Sequence, residues 1–239
     1  REGHLTRGDM DAEGVTADVA FESGVFFRTI ERPVVTFKQA RAGKLKLDAG
    51  RLEFHLSPKE LFVDRFEAGW CKGRLNAYSV HLDFKNPKDD FIVYADRIDL
   101  GEALMMALPF RGQMEGYLYG RFPVGFDRGR VKLYNGFLYS LPGQSGMLRL
   151  DDSSQMLELL EKAGVRGDVQ GPLAKALSDM DFSSARLDLE TLEGGQGVLK
   201  IKLDGKSNYK EWPAPVDLNL NLRGPMEDLL NMGLDISRK

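Results

Sequence analysis

Ala185-Arg-Leu-Asp-Leu189, Leu199-Lys-Ile-Lys-Leu203 and Val216-Asp-Leu-Asn-Leu-Asn-Leu222 are one design written three times. In each, an aliphatic residue alternates with a charged or amide one. That period of two places every apolar side chain on one face of a strand and every polar one on the other. One dry face and one wet face is the pattern of an antiparallel sheet covered on a single side. The period recurs upstream. Between Lys44 and Ser57, Leu45 and Leu47 alternate with Lys44, Lys46 and Asp48; after Ala49-Gly50 the apolar set changes parity to Leu52, Phe54 and Leu56. A two-residue hairpin loop there predicts Leu47 opposite Leu52, Leu45 opposite Phe54, and Lys46 against Glu53 on the other face. Tyr78, Val80, Leu82 and Phe84 alternate with Ser79, His81 and Asp83. Val131 and Leu133 lead into Asn135-Gly136, a strong hairpin signal that predicts Leu138 opposite Leu133. Scored this way the chain holds roughly a dozen strands.

Helices are few. Asp152-Ser153 reads as an N-cap for a stripe of Met156, Leu157, Leu160 and Ala163 that Gly164 ends. Pro172 starts a second short helix toward Ser178. A third follows Gly224-Pro225, with Met226, Leu229, Leu230 and Met232 on its apolar side, and a fourth runs from Glu102 to Leu108, stopped by Pro109. No low-complexity stretch divides the chain, so it reads as one continuous β architecture over 1–239 with a soft seam near 110–112.

Composition bounds the chemistry. The 239 residues carry a formal net charge of −3, which leaves no basic excess for phosphates and makes nucleic acid an improbable partner. Cys71 is the single cysteine, so an internal disulfide and any multi-cysteine metal site are excluded. The longest apolar run, Ala103 to Phe110, is far short of the roughly 20 residues that span a bilayer. His4 lies in a polar stretch, and His55 and His81 fall on the charged faces of strands with no second histidine at ligand spacing, so no metal is expected. Gly143-Gln-Ser-Gly146 lacks the final glycine of a nucleophile elbow and leads into a strand. Gly194-Gly-Gln-Gly197 lacks the spacing of a phosphate loop and reads as a hairpin connection. Arg7-Gly-Asp9 and Arg166-Gly-Asp168 match an adhesion tripeptide too short to carry weight. No carboxylate sits in an apolar setting suited to acid–base work. No enzyme signature and no cofactor site remain.

One stretch is less ordinary. From Gly112 to Phe122 a strand face carries Gly112, Met114, Gly116, Leu118, Gly120 and Phe122. Alternate glycines leave a hollow between large apolar residues. Either a helix packs into it, which glycine's habit of marking close backbone approach favours, or it is a channel floor for an acyl chain.

The stretch from Ala95 to Leu150 resembles the C-terminal part of the YdbH family. The likeness is carried by Ala95-Asp-Arg-Ile-Asp-Leu100, Met114-Glu-Gly-Tyr-Leu-Tyr-Gly-Arg-Phe-Pro123, Asn135-Gly-Phe-Leu-Tyr-Ser-Leu-Pro-Gly143 and Gly146-Met-Leu-Arg-Leu150. Downstream, the two helices and the strands Phe182–Leu189, Gly197–Gly205 and Pro215–Leu222 continue in the family's order. The likeness covers about two-thirds of the chain and is weak up to Ala40. These are AsmA-like bacterial envelope proteins, relatives of TamB and YhdP. The resemblance implies a mainly β protein whose curled antiparallel sheet forms an apolar groove, a periplasmic location, and an inner-membrane anchor helix in the parent that this chain lacks. It also implies passage of phospholipid between the two membranes. The family's older label, dicarboxylate transport, finds no Arg or Lys cluster here suited to a small diacid.

Physics permits the lipid reading. Each methylene withdrawn from water contributes about 0.8 kcal/mol, so a chain of about 16 carbons needs roughly 12 kcal/mol of dry surface. A dozen strands about 4.8 Å apart make a trough of roughly 55–60 Å. The residues expected to line it are Leu45, Leu47, Leu52, Phe54, Val80, Leu82, Met114, Leu118, Leu133, Leu187, Ile201, Leu203, Leu218 and Leu220. The rival is a closed β-sandwich scaffold in which the same faces pack on each other. An open sheet also has exposed edges, where an envelope partner or a capping helix such as Met226 to Leu234 is expected.

Overall fold

The computed structural model describes residues 3–7, 10–23, 28–42, 45–85, 90–107, 111–127, 130–162, 164–192, 196–210 and 215–225. The first strands are β1 (Gly3–Arg7), β2 (Met10–Asp18), β3 (Val34–Phe37), β4 (Gln39–Ala42), β5 (Leu45–Leu47) and β6 (Gly50–Leu56). β7 (Glu60–Trp70), β8 (Gly73–Asp83) and β9 (Asp90–Asp99) follow, then helix α1 (Leu100–Ala107). Next come β10 (Gly112–Glu115), β11 (Tyr117–Asp127), β12 (Arg130–Leu133), β13 (Gly136–Tyr139) and β14 (Gly146–Leu150). Helices α2 (Ser154–Lys162) and α3 (Gln170–Ser178) precede β15 (Asp179–Thr191), β16 (Gln196–Ser207) and β17 (Pro215–Pro225). Among the described residues strand accounts for 65%, and the three helices are short, which makes the protein mainly β as expected. The described residues form two compact units: those within 1–96 and 121–134, and those within 97–120 and 135–225.

In the first unit the strands form an antiparallel meander. β2 pairs β1, β3 and β4; β3 pairs β6, β4 pairs β5, and β6, β7, β8 and β9 follow in order. The hairpin expected at Ala49-Gly50 is absent. Leu47 faces Ala40, Leu52 faces Val35 and Phe66, and Glu53 faces Val34 and Arg65. β5 and β6 are therefore successive pieces of one path, and Ala49-Gly50 is an irregularity where parity changes while direction does not. A bulge and a hairpin both switch parity, so the apolar pattern alone does not separate them. Gly50 serves close approach instead: a Cβ there would lie 2.2 Å from the Phe37 ring. The irregularity is stitched to β7 by Asp48 N–H to Gly69 O at 2.9 Å and Gly69 N–H to Ala49 O at 3.2 Å.

Two further sequence expectations change in the same way. Ser79 adopts φ 54°, and Val80 pairs Val63 while Tyr78 pairs Arg65. Val80 is buried, but Tyr78 is 48% exposed because the distortion at Ser79 breaks the alternation, and Phe84, 53% exposed, lies beyond the end of β8. At Asn135-Gly136 the chain again does not reverse. Leu133 faces Val124 and Leu138 faces Leu187, and the Asn135 side chain accepts from Thr191 N–H at 2.8 Å. The hairpin that joins β7 to β8 instead turns on Cys71 and Lys72, at φ 46° and 55°.

The second unit realises the opening pattern directly. Leu187 faces Ile201, which faces Leu220; Ala185 faces Leu203, which faces Leu218. The three strands alternate buried aliphatics with exposed or half-exposed polar residues along most of their length. β14 and β13 pair the other side of β15, and β10 pairs β14. α1 begins directly after β9, capped by Asp99 Oδ1 accepting from Glu102 N–H at 2.9 Å. Asp152 Oδ1 accepts from Ser154 N–H at the start of α2. Gly164, at φ 84°, ends that helix, with Val165 N–H bonded to Leu160 O. α3 starts at Gln170, two residues before the expected Pro172. The helix expected after Gly224-Pro225, with its capping segment, lies outside the described residues.

Candidate functional site

In the first unit, apolar side chains of β6 to β9 gather on one face. Val63, Ala77 and Val80 form a small buried centre, and Leu52, Phe54, Leu61, Phe66, Leu82, Phe91 and Val93 pack round it half-buried. Register explains the gathering: Phe54, Val63 and Val80 are successive partners, as are Leu52, Phe66, Ala77 and Val93. Leu45 and Leu47 are half-buried on β5, opposite Ala42 and Ala40. No helix of this unit is present among the described residues to cover the face. Polar groups elsewhere on these strands pair with one another. His55 Nδ1 meets Asp64 Oδ2 at 2.9 Å, His81 meets Glu60 at 2.8 Å, and Arg51 meets Glu53 at 2.8 Å. The rings of His55, Phe62 and His81 form a row across three strands. No group of three metal-ligating side chains occurs among the described residues.

The second unit treats its apolar face differently. Ile201, Leu203, Leu218 and Leu220 are each no more than 7% exposed. Leu100 and Leu104 of α1 and Met156 of α2 close over them, with Met114, Leu148 and Phe182 completing the wall. The remaining cavity is about 20 Å³, room for one water and no more. Leu187 and Leu118 are also buried. Leu133 belongs to the first unit, where it faces Val124, and its side chain lies outside the described ones. The eight largest fully shielded side chains, from Ile98 to Phe182, all belong to the second unit.

The glycine hollow has an occupant. A Cβ on Gly116 would lie 3.0 Å from the Phe182 ring and 3.7 Å from Leu100, and one on Gly146 would lie 2.1 Å from the same ring. An aromatic ring from β15, with the first residue of α1 beside it, fills the space. The sequence reading left out Phe182, Leu148, Leu100 and Leu104, and the whole of β7. The signal in β7 was legible as an apolar set that moves from Leu61 and Val63 to Phe66, Ala68 and Trp70.

Charged groups with displaced ionisation lie on exposed side chains. Arg149 donates to Met180 O and to Asp181 Oδ1, both at 2.7 Å, and reaches Asp179 Oδ1 at 2.9 Å. Hydrogen bonds from Arg149, then Asn208, hold the Asp181 carboxyl below its ordinary value. Ser154 lowers Asp152, and the carboxylates Glu67 and Asp188 raise Arg65 and Arg186 respectively. These are clamps between neighbouring polar groups. The apolar faces, in contrast, offer area and no directed polar group.

The family model described as YdbH-like, intermembrane phospholipid transport protein YdbH, matches residues 4–234. This chain belongs to the YdbH-like family. No curated protein and no solved structure matches it. Membership assigns the chain to a family of lipid transport proteins, consistent with an envelope setting. No helix among the described residues is long and apolar enough to cross a membrane.

Proposed function

We propose that the chain is a periplasmic β-groove segment of a longer protein, and that it shelters phospholipid acyl chains during passive transfer between inner and outer membranes. The observation that carries this reading is the half-buried apolar face of β6 to β9, continuous over four strands, in a unit that has no helix of its own among the described residues. Seven large apolar side chains that are only partly buried share this face, and a contiguous apolar patch is the kind of surface that marks a binding site. The transported group is hydrocarbon, so the floor needs dry contact and no hydrogen-bond donor. Leu52, Phe54, Val80 and Leu82 supply that contact here, with Leu45 and Leu47 on β5. Leu133 on β12 is a further lining candidate of the first unit, and Met114, Leu118, Leu187, Ile201, Leu203, Leu218 and Leu220 are those of the second. Slide along such a surface requires no nucleotide or metal. Among the described pairings β17 bonds β16, and its other side is where an envelope partner would add a strand.

Native mass spectrometry tests the reading. The purified chain is expected to carry phospholipid, and a Leu52→Arg/Leu82→Arg double variant to lose it at unchanged far-UV circular dichroism, since both positions are already half-exposed. A folded double variant that retains phospholipid would falsify it.

A further inference from the structure

We infer that α1 and α2 occupy a stretch of groove floor in place of lipid, and that a second acyl-chain site, closed in this structure, lies beneath them on Ile201, Leu203, Leu218 and Leu220. This inference rests on the acyl-chain reading above. Four observations point to a removable cover instead of a permanent core. The floor is built like a lipid-facing surface: aliphatic residues at alternate positions of two neighbouring long strands, in register, with no polar group among the cavity walls. In the first unit, which has no helix of its own among the described residues, a floor of similar composition is half-buried. The covering elements are short, eight and nine residues, below the length at which a helix is stable in isolation. α2 presents Met156 and Leu160 inward and keeps Glu158 and Glu161 exposed, as a surface helix does.

Two attachments are terminal. α1 is fixed at its first residue, where Leu100 N–H bonds Gly116 O at 3.0 Å. α2 is fixed near its start, where Gln155 Oε1 accepts from Arg111 N–H at 2.6 Å. Leu104 and Met156 meet the floor by side-chain packing, which hydrocarbon can replace group for group. The strands beneath are tied by backbone ladders on both sides of β16 and remain when the helices lift. The close fit of α1 to the sheet has a single weak point. Gly101 sits so near β10 that a Cβ there would be 2.9 Å from Met114 O and 3.3 Å from Met114 Cβ, so a larger residue lifts the helix.

Hydrogen exchange on the unmodified chain is the first test. Amides of α1 and α2 are expected to exchange about tenfold or more faster than those of β15 and β16. Vesicles of phosphatidylethanolamine and phosphatidylglycerol should increase that difference. The second test places a probe under the cover, in a Cys71→Ser/Leu203→Cys background. Maleimide should label the new thiol slowly, faster once Gly101→Val is added, and slowly again when vesicles are supplied. Helices that exchange in step with β15 and β16 overturn the inference while phospholipid retained by the chain leaves the acyl-chain reading intact. Fast helices and rapid labelling that vesicles never suppress overturn the second site. A chain that also carries no phospholipid loses both readings.

Discussion

Phe182 and Arg149 show how single residues decide what is wet and what is dry. Phe182 is 2% exposed and its ring lies against the backbones of Gly116 and Gly146; no larger residue fits at either glycine while the ring is there. The alternating glycines were visible in the sequence, but their filler comes from a strand more than thirty positions downstream and was not. Arg149 ties β14 to β15 through two aspartates and a carbonyl. Because it is partly exposed, Arg149→Met is expected to cost only about 1 kcal/mol at pH 7, read as a shift in urea midpoint. Its pH dependence has a definite sign. The folded Asp181 carboxyl is held below the ordinary 3.8, so its contribution is complete above that value and disappears as pH falls through the lower folded value. The gap between parent and variant should therefore narrow in acid; a gap that widens below 3.8 would discard the clamp.

Among the elements, strands were more legible than their connections. β15, β16 and β17 follow directly from alternation because each has one face against apolar groups and one against water. The distortion at Ser79 was not legible, because Tyr78 to Phe84 alternate without a break; the parity changes at Ala49-Gly50 and Asn135-Gly136 were legible as changes. Whether each was a reversal or a bulge depended on which strand lay alongside, and that partner is remote in sequence. The true reversal between β7 and β8 carries Cys71-Lys72, residues with no turn preference held at positive φ. Asn-Gly is the favoured pair for a two-residue loop with both central residues in that region. Cys71→Asn/Lys72→Gly is expected to stabilise the chain by about 1 kcal/mol, seen as a melting temperature raised by roughly 2–4 °C. A lowered melting temperature would mean that the two side chains contribute more than the backbone strain costs.

At the scale of the whole molecule, the two units apply one surface chemistry to different ends. Where helices lie on the sheet the apolar face is shut to about 20 Å³, so no second sheet is needed and the sandwich alternative does not describe that unit. Where no helix is described, the face is half-exposed, and a ligand that binds only the folded chain stabilises it by mass action. Stripping phospholipid with detergent should lower the melting temperature, and adding phosphatidylethanolamine should restore it; identical melting with and without lipid would remove the ligand from the stability of this chain. The strand content, the single dry face and the kinship with lipid carriers were determined by the order of residues alone, because a period of two and a set of turn-rich motifs are local properties. Only the tertiary structure decided which dry faces are covered. Covering depends on where α1 and α2 come to rest, and the aliphatic residues of β16 and β17 would read the same beneath a helix as beneath an acyl chain.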